Sequence, residues 1–258
     1  MRAGLQQMVK RGLKSLLKST SPGKLSTLIG KACFRDHDKT VHRGITKLLS
    51  KRLFSKGKLP WEALMGDFRG GAWCGTSGGR RRGSAVDSQV SRLANSSDSV
   101  RRSSRKLKLT ATALESLRHH KMKMIMGQRV VLDGKHRVAT AVDVVCQRGD
   151  DEIVLVELKS GYAGDRTAAA RDPKGKLCKM NTPCRRAADN LLNRHVSQAA
   201  VGHSLFVGET ETLNKLSKLG IKHVSAVVLY VNSTGSDIYN VPEYWLKRGK
   251  RIVACISK

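Results

Sequence analysis

The chain has 258 residues and carries 49 Lys and Arg against 20 Asp and Glu, which gives a formal net charge of +29. This excess argues against a small-molecule enzyme with a neutral surface and favours a polyanionic partner, either nucleic acid or an anionic membrane. Hydrophobic residues make up 40% of the chain, which is enough for a core, whereas aromatic residues at 4% are too few for an extended stacking platform. No apolar run reaches the roughly 18 residues that a transmembrane helix needs.

The cysteines are too sparse for a disulfide-stapled secreted domain, and no CxxC pair is present. We interpret them as free thiols in a reducing, intracellular compartment. The alternative is a zinc or cluster site in which Cys178 and Cys184 are joined by Cys146 or His195. The six cysteines are Cys33, Cys74, Cys146, Cys178, Cys184 and Cys255.

The N-terminal segment is basic, and no acidic residue precedes Asp36. Leu5, Leu13 and Leu17 recur at helical spacing, with lysines and arginines on the other side, so the pattern predicts an amphipathic helix. Such a segment is typical of a mitochondrial transit peptide, a DNA-binding arm, a membrane-surface helix or an incidental helix. The composition is therefore compatible with the mitochondrial matrix, the nucleus or a virus-infected cell. We divide the chain into a basic extension, residues 1–70, and a folded domain, residues 71–258.

The rest of the chain predicts an α/β fold with a mixed central β-sheet flanked by helices. Residues 20–70 show only weak helical periodicity, and the Gly- and Arg-rich residues 69–82 are predicted to form a loop. Residues 95–105 are polar and basic and interrupt the helical pattern. Predicted helices are 84–94, 110–120, 185–206 and 213–219; predicted strands are 125–132, 137–147, 153–159, 224–231 and 251–256.

Three charged residues inside two apolar strands are the most informative pattern. Asp143 lies in one strand, and Glu157 and Lys159 lie on one face of the next. A turn centred on Asp150 would place Asp143 directly opposite Glu157, with Cβ atoms about 4.5–5.5 Å apart. Two carboxylates at that distance repel each other unless a proton or cation lies between them. A divalent ion such as Mg²⁺ meets this need and leaves waters for a phosphate substrate.

The order of these motifs resembles the PD-(D/E)XK nuclease superfamily, in the branch of RecB-type and mitochondrial-genome-maintenance exonucleases. The matching positions are Gly83 to Asp87 on a helix, Asp143, the run Glu157-Leu158-Lys159, and Gln198 on a later helix. The resemblance covers roughly residues 83–232 and implies a restriction-endonuclease-like core. Gly202 and His203 follow Gln198 where relatives often have Tyr, and the strand 125–132 lacks an acid that some relatives carry there.

The resemblance also implies roles for individual residues. Asp143, Glu157 and the Leu158 carbonyl would hold one or two Mg²⁺ or Mn²⁺ ions, and Asp87 would approach them. Lys159 would assist the attacking water. Gln198 would face the site and contact DNA or the water network. The four-cysteine arrangement of some relatives is absent, so no iron–sulfur cluster is expected. The candidates for nucleic-acid binding are Arg80, Arg81, Arg82, Ser160 and Tyr162.

These features predict a metal-dependent deoxyribonuclease, an exonuclease acting in DNA repair, replication or recombination on single-stranded DNA or duplex ends. Further backbone contacts are expected from a basic segment, because Lys and Arg bind phosphates without reading sequence. Two alternatives remain open: a non-catalytic basic nucleic-acid-binding protein, and a structural subunit of a ribonucleoprotein. The additional basic candidates are Arg101, Arg102, Arg105, Lys106 and Lys108.

Overall fold

The computed structural model describes residues 2–21, 23–28, 31–60, 63 and 76–258, with side chains described for residues 11–21, 34–60, 63 and 81–258. The predicted division at residue 70 and the start of the predicted 69–82 loop lie outside the described residues. So does the side chain of Arg80.

Within the described residues, eight strands form one mixed sheet, which confirms the predicted α/β class with helices flanking a central sheet. The path is β1-β2-β3-β5-β6-β7-β8, and β4 pairs with the other edge of β5. The contacts β3–β5 and β6–β7 are parallel, and all other pairs are antiparallel. The strands are β1 (Gly23–Leu28), β2 (Lys31–Asp36), β3 (Val41–Gly44), β4 (Met122–Asp133), β5 (Val138–Arg148), β6 (Glu152–Ser160), β7 (His223–Asn232) and β8 (Gly235–Asn240).

Helices cover both faces of the sheet, each over its own apolar core. On one face α1, α2, α6 and α8 bury a cluster that includes Leu13, Leu49 and Phe206. On the other face α3 and α5 pack over a smaller cluster that includes Val90 and Leu117. The helices are α1 (Arg2–Ser19), α2 (Ile45–Arg52), α3 (Thr76–Asn95), α4 (Asp98–Ser103), α5 (Lys108–His119), α6 (Leu191–Val207), α7 (Thr210–Lys218) and α8 (Glu243–Ile256).

The N-terminal helix is anchored to the sheet by apolar burial and by a buried charge. Leu13 and Leu17 are fully buried in the core shared with α6. Arg129 on β4 is also fully buried, and its guanidinium donates to the backbone carbonyls of Leu17 and Thr20 at the end of α1. The same group forms an ion pair with Glu209 at 2.5 Å. The α1 segment therefore belongs to the main core.

Most elements after residue 84 were predicted correctly from their periodicity. The three strands 125–132, 137–147 and 153–159 are confirmed as β4, β5 and β6, and the strand 224–231 as β7. The predicted terminal strand 251–256 is wrong, because these residues end helix α8. Trp245, Gly249 and Ile252 face the core at helical spacing, and a Cβ on Gly249 would lie 2.4 Å from the carbonyl oxygen of Ala200 on α6.

Other boundaries also differ from the prediction. Residues 76–82 belong to α3 and not to a loop, and helix α6 begins at Leu191 instead of residue 185. The segment 20–70 contains the short strands β1 to β3, which its weak helical periodicity did not indicate. Among the described residues, no helix is long and apolar enough to cross a membrane.

Candidate active site

The candidate site lies where β5 and β6 separate. The two strands pair from Arg148 and Glu152 to Val144 and Val156, which confirms the predicted register. Beyond that point β6 continues along β7 as far as Ser160, while β5 pairs with β3 only at Val138 and Ala139. A wedge therefore opens between β5 and β6, and a small cleft there is lined by residues 140–142 and 155–157 and by α6.

Asp143 stands at the apex of this wedge. Its Oδ2 accepts a hydrogen bond from the backbone N–H of Leu158 at 2.8 Å, in place of a further backbone pair between the strands. The alternation of faces along β5 also shifts here, since Val142 lies in the core under α6 and Val144 in the core under α3. On the other edge Gln128 adopts a φ of 55° and donates to Asp143 Oδ1 at 3.4 Å.

Lys159 connects the sheet to helix α6. Its Nζ donates to Glu157 Oε1 at 2.6 Å and to Gln198 Oε1 at 3.2 Å. Glu157 is buried, with 7% of its surface exposed. Glu157, Lys159 and Gln198 therefore meet on the α6 side of the sheet, as the sequence predicts.

Asp87 approaches the same group from α3. Burial and the charge of Glu157 raise the pKa of Asp87 to about 6, although the charge of Lys159 opposes this shift. Burial, followed by the charges of Glu157 and Asp87, raises the pKa of Asp143 well above its ordinary value. Burial alone would lower the pKa of Lys159, but the charges of Glu157 and Asp143 raise it above its ordinary value. The site thus holds three carboxyl groups and one ammonium group that act on one another.

The charge balance of this group fits a divalent cation. If all three carboxyl groups ionise, Lys159 offsets only one of them, and the excess negative charge is buried in a chain that is otherwise strongly basic. The N–H and C=O of one strand residue point to the same edge of the strand. Since the Leu158 N–H points toward Asp143, the Leu158 carbonyl also points into the wedge. Among the described residues, no three Asp, Glu, His or Cys side chains converge into a metal-binding group. Mg²⁺ usually uses only one or two carboxylates and keeps several waters.

The predicted nucleic-acid contacts lie around the end of β6. Gly161 has a φ of +87°, and a Cβ there would lie 2.7 Å from Arg82 Nη2, so the start of α3 lies against this turn. Arg81 is exposed, and Ser160 is partly buried. The Tyr162 ring packs edge-to-face on the ring of His195 on α6, with centroids 5.1 Å apart.

Two further residues were not predicted as part of this site, although His195 was named in the zinc alternative. His195 lies one helical turn before Gln198, and its Nδ1 lies 3.0 Å from the hydroxyl of Tyr230. Tyr230 is the in-register neighbour of Lys159 on β7. Burial, followed by the charge of Lys159, lowers the pKa of His195 well below its ordinary value, so this ring is neutral near pH 7. The spacing of three residues between His195 and Gln198 was the available signal, because residues three apart share a helix face.

Two sequence hypotheses do not fit the structure. The guanidinium of Arg101 donates to the carbonyls of Leu93 and Ala94 at the end of α3, so it serves as a helix cap and not as a phosphate contact. The zinc alternative fails for Cys146 together with Cys184, because they lie in cores on opposite faces of the sheet. Burial raises the pKa of the Cys146 thiol to about 12, which disfavours the thiolate that a metal needs.

Comparisons with known proteins give no match for this chain: no family model, no curated protein and no solved structure matches it. The functional interpretation therefore depends on the residues and geometry of the site itself.

Proposed function

We propose that the protein is a metal-dependent nuclease with a restriction-endonuclease-like core of the PD-(D/E)XK type. One observation carries the proposal: Asp143, Glu157 and Lys159 lie at the wedge between β5 and β6, Gln198 from α6 contacts Lys159, and Asp87 from α3 interacts electrostatically with Glu157 and Lys159. Scattered surface charges have no reason to meet in one buried group. Acids that share a buried site and perturb each other's pKa mark a candidate functional site.

Each residue of the site has its own proposed role in the reaction. Asp143, Glu157 and the Leu158 carbonyl would hold Mg²⁺ or Mn²⁺, with Asp87 nearby; such an ion polarises a phosphate and lowers the pKa of a bound water. The raised pKa of Lys159 keeps its ammonium charged, so it can orient that water and offset negative charge on the phosphate. Gln198 fixes the Lys159 ammonium through its Oε1 and has an amide NH₂ group left for substrate or water.

The overall charge supports a polynucleotide substrate. A net charge of +29 attracts a phosphate backbone at long range and supplies affinity that does not depend on sequence. Arg81 and Arg82 at the start of α3 lie next to the turn that follows Lys159, so they can hold the backbone on the approach to the site. We infer that DNA, single-stranded or with free ends, is the substrate, in repair, replication or recombination.

Cleavage of labelled single-stranded, linear duplex and circular DNA with Mg²⁺, Mn²⁺ or EDTA tests this proposal. We expect cutting only with metal, and loss of cutting in Glu157→Gln and Lys159→Ala. Matched controls are Glu115→Gln and Lys222→Ala, which change exposed residues away from the wedge. Failure of the wild-type protein to cut any substrate with either metal would refute the nuclease. Resistance of circular DNA would identify an exonuclease.

The second candidate is a non-catalytic nucleic-acid-binding protein. It is favoured by the net charge of +29, which by itself accounts for salt-sensitive binding. This candidate predicts that wild type and Lys159→Ala bind DNA equally and that neither cuts it. The same experiment therefore separates the two functions.

A further inference from the structure

A second cleft lies one strand away from the candidate catalytic lysine. Tyr230 on β7 is the in-register neighbour of Lys159, and both side chains lie on the α6 face of the sheet. Beside Tyr230 a cleft of about 360 Å³ opens between β7, β8 and the loop that follows β6. It is lined by Arg166, Thr167, Leu192, Tyr230, Asp237 and Tyr239, with Asp165 at its rim.

The floor of this cleft is a flat, fixed guanidinium. The Cζ atom of Arg166 lies 4.0 Å from the centroid of the Tyr230 ring. Asp237 holds the same group through an ion pair at 2.6 Å, and 24% of the Arg166 side chain remains exposed. Tyr230 is itself held by the hydrogen bond between its hydroxyl and His195. Arg166 therefore presents one face to Tyr230 and is oriented before any ligand arrives.

The charges in the cleft select against a phosphate. Asp165 and Asp237 contribute two carboxylates to the lining, against the single charge of Arg166. The Asp165 carboxylate already accepts from the backbone N–H and hydroxyl of Thr167, and these contacts lower its pKa, so it is ionised near neutral pH. A local excess of negative charge repels an anion even in a basic chain. A neutral planar group with amino donors fits this cleft better.

We propose that the cleft over Arg166 binds an unpaired nucleobase of the nucleotide next to the scissile phosphate. Bases stack on guanidinium planes, and carboxylates accept hydrogen bonds from the exocyclic amino groups of adenine, guanine and cytosine. This inference rests on the proposed nuclease function and specifies its substrate: a strand that is unpaired where it is cut, since a paired base cannot enter.

Arg166 and Asp237 also line a neighbouring cleft, which supports a path for the nucleic-acid strand toward the catalytic residues. A smaller cleft uses the same two residues and is also lined by Tyr162 and Asn232. Tyr162 packs on His195. Burial, followed by the nearby charge of Lys159, lowers the pKa of His195 and keeps its ring neutral. A polynucleotide can therefore place a base over Arg166 while its backbone passes Tyr162 toward the wedge.

The test measures binding of the full chain to labelled single-stranded oligonucleotides in EDTA, so that cleavage does not interfere. One oligonucleotide is intact, and each of the others lacks a single base at a different position. We expect that loss of one particular base weakens wild-type binding by roughly 5- to 150-fold, the range for one stacked base. Arg166→Lys, which keeps the charge and the pairing with Asp237 but not the flat guanidinium, is expected to lose this dependence.

Arg148→Lys is the matched control, because Arg148 also pairs with a carboxylate, that of Glu152, but at the far end of β5 and β6. It should behave as wild type. The fluorescence of a 2-aminopurine placed at the sensitive position should change on binding to wild type and not on binding to Arg166→Lys. Two results would overturn the base site and leave the nuclease proposal standing. One is equal wild-type binding to all the oligonucleotides, and the other is an equal weakening by Arg166→Lys for all of them. No binding to any oligonucleotide would overturn both.

Discussion

Asp143 on β5 accepts a hydrogen bond from the backbone N–H of Leu158 on β6 at the point where the two strands stop pairing. The carboxylate replaces a main-chain acceptor, so its position is fixed by the sheet and not by a flexible rotamer. Ionisation of this group is costly, because burial, followed by the charges of Glu157 and Asp87, raises its pKa. The arrangement stores electrostatic repulsion that a bound cation can relieve, which is typical of sites that bind metal and substrate.

Replacement of Asp143 by Asn should stabilise the metal-free protein and abolish cleavage. Asn keeps an oxygen that can accept from the Leu158 N–H but removes one of the mutually repelling carboxylates. We expect a gain in the free energy of unfolding at neutral pH, measured by denaturant titration in EDTA. Mg²⁺ should raise the melting temperature of wild type more than that of the variant.

Asp143→Ala serves as the comparison, because it removes both the charge and the acceptor. It should be less stable than Asp143→Asn, since it leaves the Leu158 N–H without its partner. Equal stability of the two variants would contradict the assigned role of that hydrogen bond.

Asp87 gives the protein a defined pH dependence in the absence of metal. Its pKa rises from 3.8 to about 6 on folding, so the folded state retains this proton more tightly than the unfolded state. The contribution is present at low pH and is lost as pH rises through about 6, at a cost of about 3 kcal/mol, less any screening by solvent. Asp87→Asn should match wild type near pH 4 and be more stable at pH 7. The measurement is unfolding at both pH values in EDTA.

The sign of this difference is the critical result. An Asp87→Asn variant that is less stable than wild type at pH 7 would show that the carboxylate is held by favourable contacts, and the electrostatic account of the site would then fail. Glu115→Gln, which changes an exposed carboxyl on α5, controls for the general effect of removing an acid.

Replacement of Lys159 should lower the free energy of unfolding more than replacement of an exposed lysine. Lys159→Met removes the ammonium group that pairs with Glu157 among the described residues, leaving a buried carboxylate without this partner. Loss of one member of a buried ion pair typically costs about 3–5 kcal/mol. The double variant Lys159→Met/Glu157→Gln should recover most of that loss while remaining inactive. Additive effects of the two changes, measured by denaturant unfolding, would contradict a direct pairing, and Lys222→Met is the exposed control.

The sequence predicts the centre of this site better than its surroundings. The turn near Asp150 and the alternating apolar residues of β5 and β6 determine the register, and the paired strands end one position before Asp143 and Glu157. The sequence did not predict that pairing ends at Asp143, or that Gln128 on a third strand adopts a positive φ and donates to Asp143. The local sequence pattern carries no information on contacts between residues of different strands.

The same limit explains the error in the last predicted element of the chain. The run after Arg251 is rich in β-branched residues and short, which favours a strand when it is considered alone. Packing against α6, where Gly249 permits close approach, makes it a helix instead. Tertiary packing overrides the local signal in this last helix. The acid-free start of the chain is typical of a targeting peptide, and the structure adds that Leu13 and Leu17 are buried by helices distant in sequence.

The buried pair of Arg129 and Glu209 makes a final prediction about that N-terminal helix. Arg129 donates to Glu209, Leu17 and Thr20, so it joins β4, α7 and the end of α1 through one fully buried guanidinium. Arg129→Met should destabilise the protein by about 3–5 kcal/mol, because Glu209 would remain buried without a counter-charge. The double variant Arg129→Met/Glu209→Gln should recover much of this loss.

Removal of residues 1–20 should have a related effect, since it deletes both carbonyl acceptors of Arg129 together with the buried Leu13 and Leu17. We expect a lower melting temperature and increased protease sensitivity relative to the full chain. In the truncated chain, Arg129→Met/Glu209→Gln should lower the melting temperature less than in the full chain, because two partners of the guanidinium have already been removed. A truncated protein as stable as the full chain would mean that α1 is dispensable, as expected for a cleaved targeting peptide.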